Sequence, residues 1–449
     1  MNLRPSEQIA LYADQPITYA QLLERTESFA QTLRHQSGLK RPLVLLKLSN
    51  SVNALVAYVA CLQADFPVIL LAEQQDSAQL EQQFQVNLKI TASAEQLNVE
   101  CLSHCALPMA DELSVLLTTS GSTGEAKLVM LSRANLVSNA QAIREYLDIG
   151  PEERGLTSLP FNYSYGLSIV NSHLLAGASL VVSEPDILSK QLWQRAKQWQ
   201  ATSFAGVPFS YEMLCRMGLA RALPSSISTL TQAGGRLNRG LAEQVAAFAK
   251  QQQKRFFIMY GQTEATARIA YLPAELASTK ADSIGQAIPG GQLSLLDPSG
   301  LIIQQDEQIG ELCYQGANVM LGYAQSPTDL AQPARPSRLL TGDLALRCNG
   351  LFYITGRLKR MIKLRSHRFN LDQLEQQLSD LLAVVDLACF GEDDYLQLVS
   401  SQPISSDKLR AACQHLHISQ SLVHVHRVAS LPKQANGKID YQALKGLSA

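Results

Sequence analysis

The sequence has almost no charge of one sign to spare: 38 basic against 39 acidic side chains leave a formal net charge of −1. That balance offers no basic surface to nucleic acid or to an anionic membrane. No apolar run approaches the ~20 residues of a membrane-spanning helix. The opening MNLRPSEQIALYADQ lacks the charged-then-apolar layout of a signal peptide. An internal repeat, a low-complexity tract and an acidic tail are also missing. The eight cysteines (Cys61, Cys101, Cys105, Cys215, Cys313, Cys348, Cys389 and Cys413) are scattered, and a chain of 449 residues does not need disulfides. Reduced thiols in a cytoplasm are the expectation. Cys101, His104 and Cys105 carry metal-ligand chemistry, but no second ligand cluster lies near them, so no zinc site is expected. His424 and His426 alternate in SLVHVHRV, as residues sharing one face of a strand do.

What is present is an ordinary globular composition, 46% hydrophobic and 17% charged, with 26 glycines and 18 prolines. The length suits roughly two to four packed units. Residues 14–36 open with a turn and continue as an amphipathic helix on Leu22, Leu23, Ser28, Phe29 and Leu33. RPLVLLKLSN then reads as a buried strand, SVNALVAYVACLQAD as a helix capped by Ser51, and FPVILLA as another strand. Such alternation implies a parallel sheet covered by helices. Residues 74–108 are polar and poorly periodic, with only KITA strand-like. ELSVLLTTSG resumes the sheet, KLVMLS pairs back as a hairpin, and a helix opens near Ser132 on Leu136, Ala140, Ile143 and Leu147. Further alternation runs to RFFIMYGQTEA. From Ser283 the pattern changes: GQLSLLD, IGELCYQG and LFYITG are short alternating strands of a smaller β-rich subdomain. After Arg357 the composition turns basic, RLKRMIKLRSHRF, and roughly ninety residues remain, enough for a small α+β domain on a flexible connection.

Chemistry concentrates first in Thr118–Lys127, TTSGSTGEAK: two glycines, five hydroxyl side chains and a lysine. Gly121 and Gly124 let backbone N–H groups approach a ligand with no Cβ in the way. Thr119, Ser120, Ser122 and Thr123 add donors, and Lys127 adds a positive charge, a set that suits polyphosphate oxygens. No GK[ST] closes the loop, and it is not the GxGxxG that opens a dinucleotide-binding helix. By itself the stretch reads more readily as a Ser/Gly-rich surface turn than as a phosphate cradle.

Six further stretches narrow the choice. AGGRL stands at Ala233–Leu237, YGQTEA at Tyr260–Ala265 and GELCYQGANVMLGY at Gly310–Tyr323. TGD stands at Thr341–Asp343, GRLKRMIKLRSHR at Gly356–Arg368 and LPKQANGKID at Leu431–Asp440. Together and in this order they resemble the motifs of the adenylate-forming (ANL) superfamily, which holds acyl- and aryl-CoA synthetases, luciferases and the adenylation domains of peptide synthetases. The fold implied is α/β. A large N-terminal domain of αβα sheets with a β-rich subdomain would span residues 1–358, and a small mobile C-terminal α+β lid would span 359–449.

The resemblance also implies an activity: ATP and a carboxylic acid give an acyl-adenylate and pyrophosphate, then a thiol takes the acyl group and AMP leaves. Both reactants are anionic, so preorganised donors and a cation are required. By resemblance, Thr119–Gly124 and Lys127 hold the β- and γ-phosphates. Thr263 binds the α-phosphate and Glu264 places Mg²⁺. Gly234, Gly235, Tyr260, Gly261 and Gln262 form the adenine side, while Asp343 and Arg357 take the ribose. Lys438 bridges the incoming carboxylate and the α-phosphate, and Lys359 is the hinge about which the lid turns. Some positions depart from the pattern. Lys363, Ser366 and Arg368 stand where the family has Lys-x-x-Gly-x-Arg, and the Cβ of Ser366 narrows the path of a pantetheine arm. Ala126 and Leu128 replace a proline and a glycine beside Lys127, Tyr441 stands where an arginine often follows, and residues 74–108 are abbreviated.

The substrate-facing segment is Pro160–Ser168, PFNYSYGLS. Asn162 occupies the place of an aspartate that pairs with α-ammonium groups, which disfavours amino acids. Tyr163, Tyr165 and Pro208, with Phe161, Phe209 and Tyr211, either wall an apolar pocket for an acyl or aryl acid or belong to the core. Only YQALKGLSA follows the lysine motif, so the acceptor is expected from outside, as CoA or a separate carrier protein. Two alternatives stay open: a stand-alone adenylating enzyme that loads a carrier protein or an amine, and a non-catalytic nucleotide-binding protein on the same fold.

Overall fold

A computed structural model describes residues 3–118, 127–365, 367–433 and 439–447. The chain divides into two compact units, residues 1–292 with 314–339 and residues 293–313 with 340–449.

The first unit holds two large sheets. One is ordered Gly322–Ala324, Leu128–Ser132, Leu113–Thr118, Val68–Ala72, Val44–Leu48, Leu88–Ala92, Leu97–Cys101. Its middle strands run parallel and its margins antiparallel. Alternate residues of the apolar runs feed two different cores. Val44, Leu46, Val68 and Leu70 face one cluster, and Leu43, Leu45, Ile69 and Leu71 face the other. A strand buried on both faces must read as a continuous apolar run, as RPLVLLKL and FPVILLA do.

The second sheet is ordered Gln286–Ala287, Ala270–Leu272, Arg255–Tyr260, Thr229–Gln232, Ser203–Gly206, Arg154–Leu156, Ser179–Val181, Ile9–Tyr12, Pro16–Thr18. Its strands Ser203–Gly206, Thr229–Gln232 and Arg255–Tyr260 are parallel neighbours in register. The turns that follow them therefore open at one edge of the sheet, the usual place for a ligand in a wound α/β protein. One core cluster joins Leu46 and Leu70 of the first sheet to Leu180 and Ala205 of the second, together with the helices Val52–Ala64 and Ser164–Ala176. The latter helix is buried at every residue but Leu175. Its polar side chains bond inwards: the Ser168 hydroxyl donates to the Tyr165 carbonyl and Tyr165 to Thr231.

Local signals match the elements. Thr18 caps the helix Tyr19–Ser37 through a capping box with Gln21, Ser51 caps Val52–Ala64, and Ser132 caps Arg133–Leu147. The structure adds elements the pattern hides. Ile9–Tyr12 and Pro16–Thr18 pair antiparallel ahead of the first helix, and the polar stretch 74–108 contains the helix Ala78–Gln83 and the edge strand Leu97–Cys101. No described helix is long and apolar enough to cross a membrane.

The second unit contains a sheet ordered Gln292–Leu296, Gly310–Gln315, Leu339–Cys348, Leu351–Arg357. A 3₁₀ turn, Leu358–Arg360, leads into the hairpin Met361–Leu364 with His367–Asn370. The helix Leu371–Leu382, capped by Asn370, packs on the sheet of Leu387–Glu392, Tyr395–Ser400 and Val423–Arg427. The last described helix is Tyr441–Leu447.

Candidate active site

In the first unit the expected residues gather at the sheet edge. After the strand ending at Tyr260 the backbone turns so tightly that a Cβ on Gly261 would collide with the Ala267 carbonyl, so glycine is required there. Thr263–Ala265 forms one 3₁₀ turn, and Thr266 takes φ 66° to leave it. Asn318 locks this turn by donating from Nδ2 to the carbonyls of Ala265 (2.8 Å) and Arg268 (2.9 Å).

The turn presents Thr263 and Glu264. The Thr263 hydroxyl lies 3.3 Å from that of Ser164, the first residue of the buried helix. Glu264 accepts a 2.9 Å hydrogen bond from the Tyr323 phenol, and the Lys127 ammonium sits 3.3 Å from the centre of the Tyr323 ring. Burial and then the Glu264 carboxylate push the Tyr323 phenol far above its ordinary pKa, so it stays a donor. Residues 119–126 lie outside the described residues, and with them Thr119, Ser120, Gly121, Ser122, Thr123 and Gly124. Lys127 leaves that segment held by an aromatic face beside an acidic one.

The neighbouring turn after Gln232 brings Gly234, Gly235, Tyr163 and Pro208 together. Gly234 has φ +84°, and a Cβ on it would lie 2.5 Å from the Tyr163 hydroxyl. A Cβ on Gly235 would lie 3.2 Å from Pro208. Gln232 fixes the turn by donating to the Gly235 carbonyl at 2.8 Å, and Gln262 donates to the Tyr260 phenol at 3.3 Å. Asn162 is half-buried beside Tyr163. Phe161, Tyr165 and Tyr211 are buried, and Tyr211 packs edge-on against Phe204 and Phe256.

In the second unit, Asp343 lies opposite Arg357 in a strand pair and accepts from its Nε at 3.0 Å. The carboxylate is buried, with 6% of the side chain exposed, while the arginine is 57% exposed. Asn370 caps the next helix with its Oδ1 and donates from Nδ2 to the Arg357 carbonyl at 2.8 Å. Lys359 is exposed in the 3₁₀ turn, and its neighbour Arg360 turns inwards. The Arg360 guanidinium pairs with Asp372 at 2.7 Å and with Glu375 at 3.4 Å, donates to the Cys389 carbonyl at 3.0 Å, and lies 3.9 Å over the Tyr441 ring. The Tyr441 phenol donates to Glu375 at 2.9 Å. Two half-buried carboxylates thus share one guanidinium. Desolvation pushes Glu375 up to about 7 against the pull of the Cys389 N–H, Arg360 and Tyr441, and desolvation raises Asp372 as well.

Lys438 lies outside the described residues. Its surroundings in the chain are pinned by an antiparallel bridge between Lys433 and Ile439 and by an Asp440 N–H donated to the Pro432 carbonyl at 2.8 Å. Among the described residues no group of three or more His, Cys, Asp or Glu side chains is placed to hold a metal, and the cysteines are free.

Five residues of these clusters carry no motif signal of their own. Tyr323 closes GELCYQGANVMLGY with no role implied for it, and Ser164 begins the substrate-facing helix. Arg268 is the one charge in the run ATARIAYLPA, and Arg360 and Glu375 sit in a basic hinge segment and an ordinary amphipathic helix.

Glycine-lined turns, an acidic residue and an anchored lysine at the carboxyl ends of parallel strands define an α/β protein equipped to handle a phosphorylated ligand. The chain belongs to the AMP-binding enzyme family, whose model matches residues 2–88 and 86–324. It is 28% identical over 358 residues to the sulfoacetate–CoA ligase of Cupriavidus necator, covering 76% of this chain and 68% of that one. It is 24% identical over 494 residues to tyrocidine synthase 3 of Brevibacillus parabrevis, covering 98% of this chain and 7% of that synthase. The chain spans between 6% and 13% of the length of four such peptide synthases. The Bacillus subtilis o-succinylbenzoate coenzyme A synthetase, solved with ATP and magnesium ion, shares the fold: TM-score 0.81 at 22% identity, covering 98% of this chain and 97% of that one.

Proposed function

We propose that the protein activates an organic carboxylic acid with ATP, forming an acyl-adenylate and releasing pyrophosphate, and then passes the acyl group to a thiol with release of AMP. Family membership supports the first half. The observation that carries it is the Lys127–Tyr323–Glu264 contact beside Thr263. A single carboxylate, held by a phenol donor and flanked by a fixed ammonium, suits a magnesium ion that keeps most of its waters and leans on substrate phosphates. Magnesium would supply charge neutralisation on the phosphate oxygens. Around it, Thr263 hydrogen-bonds the α-phosphate, residues 119–124 and Lys127 hold the departing pyrophosphate, and Lys438 steadies the attacking carboxylate. Asp343, oriented by Arg357, accepts from the ribose hydroxyls. Gly234, Gly235, Tyr260, Gly261 and Gln262 bound the adenine, their lack of Cβ atoms at the glycines letting backbone and base approach.

The small domain in this reading begins at residue 359, and Lys359 is its pivot. An exposed lysine in a one-turn connection supports that role, because it can change backbone angles without uncovering a core. The acceptor is CoA, which the CoA-ligase relative supports, or the phosphopantetheine of a separate carrier protein. Eight free cysteines suit a reducing cytoplasm.

Acid-dependent ATP–pyrophosphate exchange over a panel of fatty, aryl, amino and dicarboxylic acids tests the first half. Exchange with none of them, while ATP still binds, would leave a nucleotide-binding protein and remove the proposal. AMP release on adding CoA to adenylated protein tests the second half. Failure there, with release by a carrier protein, reassigns the acceptor.

A further inference from the structure

The second unit carries a polar cluster to which the proposed chemistry gives no task. Arg360 follows Lys359 directly, and its side chain is only 15% exposed. Its guanidinium reaches Asp372 and Glu375 of the helix Leu371–Leu382 and lies 3.9 Å over the Tyr441 ring. Tyr441 closes the circuit: its phenol donates into the Glu375 carboxylate, 2.9 and 3.1 Å from the two oxygens. Burial, and then that carboxylate, push the Tyr441 phenol far above its ordinary pKa, so it stays a donor. A cation against the ring face and a charge-assisted hydrogen bond at the ring tip together fix where this side chain sits and which way it points.

The tie joins two stretches far apart in the chain. At one end is the turn Leu358–Arg360, which holds the proposed pivot Lys359. At the other is the lysine motif, in which Lys438 stands three positions before Tyr441. The described backbone around that motif is seated on one face of the three-stranded sheet. Leu431 and Leu444 are buried there with Ala388, Phe390 and Val399, and Ile439 and Tyr441 pack against them. Asp440 starts the last helix, its carboxylate accepting from the N–H groups of Gln442 and Ala443 at 3.0 Å each. Apolar burial is non-directional, so it holds the segment down without setting its angle. Tyr441 adds a directional contact, and that contact runs to the residue beside the pivot. A segment bonded there turns with the pivot as one body.

We propose that Tyr441 is the positioning residue for Lys438: by bonding Glu375 and lying on Arg360, it joins the lysine motif to the residue next to Lys359, so that turning at the pivot carries Lys438 to a fixed place. This rests on the reading of Lys438 as the group that steadies the attacking carboxylate in the first half-reaction. Tyr441 itself touches no substrate. Its effect is confined to the step that uses Lys438, because a positively charged side chain contributes to a transition state only from the right position.

The experiment compares the full-length wild type, Tyr441→Phe, Tyr441→Ala and Lys438→Ala, together with the double variant Lys438→Ala/Tyr441→Phe. Tyr441→Phe keeps the ring on Arg360 and removes the bond to Glu375; Tyr441→Ala removes both. Acid-dependent ATP–pyrophosphate exchange reads the first half-reaction. Release of AMP by CoA reads the second, from adenylate first accumulated with pyrophosphatase present. Tyr441→Phe should lower the exchange kcat by about tenfold with the KM values for ATP and acid unchanged, and Tyr441→Ala should lower it further. Release of AMP from preformed adenylate should keep its wild-type rate. In the Lys438→Ala background the Tyr441→Phe change should have no further effect, since the two residues act as one unit. Equal slowing of both half-reactions means a merely structural role and overturns the inference. So does an unchanged exchange kcat in Tyr441→Phe and Tyr441→Ala, or a loss that adds in full to that of Lys438→Ala. Near-normal exchange in Lys438→Ala itself removes the role of Lys438, which is a failure of the underlying reading and takes the inference with it. If no acid supports exchange, the proposed activity has failed, and amide hydrogen exchange reads the tie: Tyr441→Phe should speed exchange at Asp440 while the helix Leu371–Leu382 keeps its protection, and unchanged protection at Asp440 overturns the tie as well. If Tyr441→Ala does not fold, Tyr441→Phe decides.

Discussion

Glu375 ties the stability of the second unit to pH in a direction opposite to that of most carboxylates. Desolvation raises its folded pKa from 4.5 to about 7, outweighing the pull of the Cys389 N–H, Arg360 and Tyr441, and the neighbouring Asp372 adds to the rise. A raised folded pKa means that the native state holds the proton more tightly than the unfolded chain. The favourable contribution is fully present below about pH 4.5 and is lost as pH rises through 7. At about 1.36 kcal/mol per pH unit, the full displacement amounts to ~3.4 kcal/mol. Glu375→Gln keeps an oxygen that can accept from the Cys389 N–H or the Tyr441 phenol, and it removes the titration. Relative to this variant, the wild type should lose ~2–3 kcal/mol between pH 5 and pH 8. Urea unfolding of the full chain across that range, read by hydrogen exchange in the helix Leu371–Leu382 and corrected for intrinsic exchange rates, measures the difference. Two stability curves that run parallel with pH, or that diverge the other way, would refute the argument from desolvation.

The site yields further predictions. Lys438→Ala should bind ATP but form adenylate ~10²–10³ times more slowly, and near-normal pyrophosphate exchange in that variant would take Lys438 out of the chemistry. Tyr323→Phe removes the donor to Glu264 and should raise the Mg²⁺ concentration for half-maximal exchange several-fold; an unchanged Mg²⁺ titration argues that Glu264 does not approach the metal. Asp343→Asn should raise the KM for ATP by ~10-fold or more while leaving the acid KM alone, and a KM effect confined to the acid would contradict the ribose assignment. Gly261→Ala, whose Cβ meets the Ala267 carbonyl, should cost ~2–4 kcal/mol or fail to fold, visible as a lowered urea midpoint.

The sequence disclosed most where a residue's surroundings are dictated by its neighbours in the chain. RPLVLLKL and FPVILLA announced doubly buried strands because both faces needed apolar side chains, and Ser51 and Ser132 announced helix starts because capping is local. The strand Ile9–Tyr12 was hidden because four residues carry no period of their own, and one of its two partners, Ser179–Val181, lies far along the chain. Leu97–Cys101 does alternate, with Leu97 and Val99 packed against the core, but five residues inside a long polar stretch were too short a run to stand out. The same division runs through the site. The glycine turns and Glu264 were legible as motifs, although the first glycine loop and Lys438 lie outside the described residues. Tyr323 beside Glu264, Arg268 against the Tyr165 ring, and Arg360 between two carboxylates were not legible, because pairing and burial belong to residues that only the fold brings together. Tyr323 is 59 positions from Glu264, and Arg360 is 29 from the Cys389 carbonyl that it holds. Tyr441 is instructive here. Its departure from the family's arginine was visible in the sequence, but its position over Arg360 and its bond to Glu375 were not.

The helix Ser164–Ala176 has a consequence for how this protein can change. Ser164 at its start touches Thr263, Tyr165 lies against the guanidinium of Arg268, and Ser168 and Ser172 bond back to the helix's own carbonyls further along. A helix enclosed on every side has no solvent face to absorb a new side chain, and a bulkier residue in one turn displaces the axis that positions the others. The position of Ser164 beside Thr263 and that of the Tyr165 ring are therefore mechanically linked along this one rod. A change on the strand side, at Thr231, leaves the axis of the helix in place, whereas a bulkier residue on the helix itself moves both.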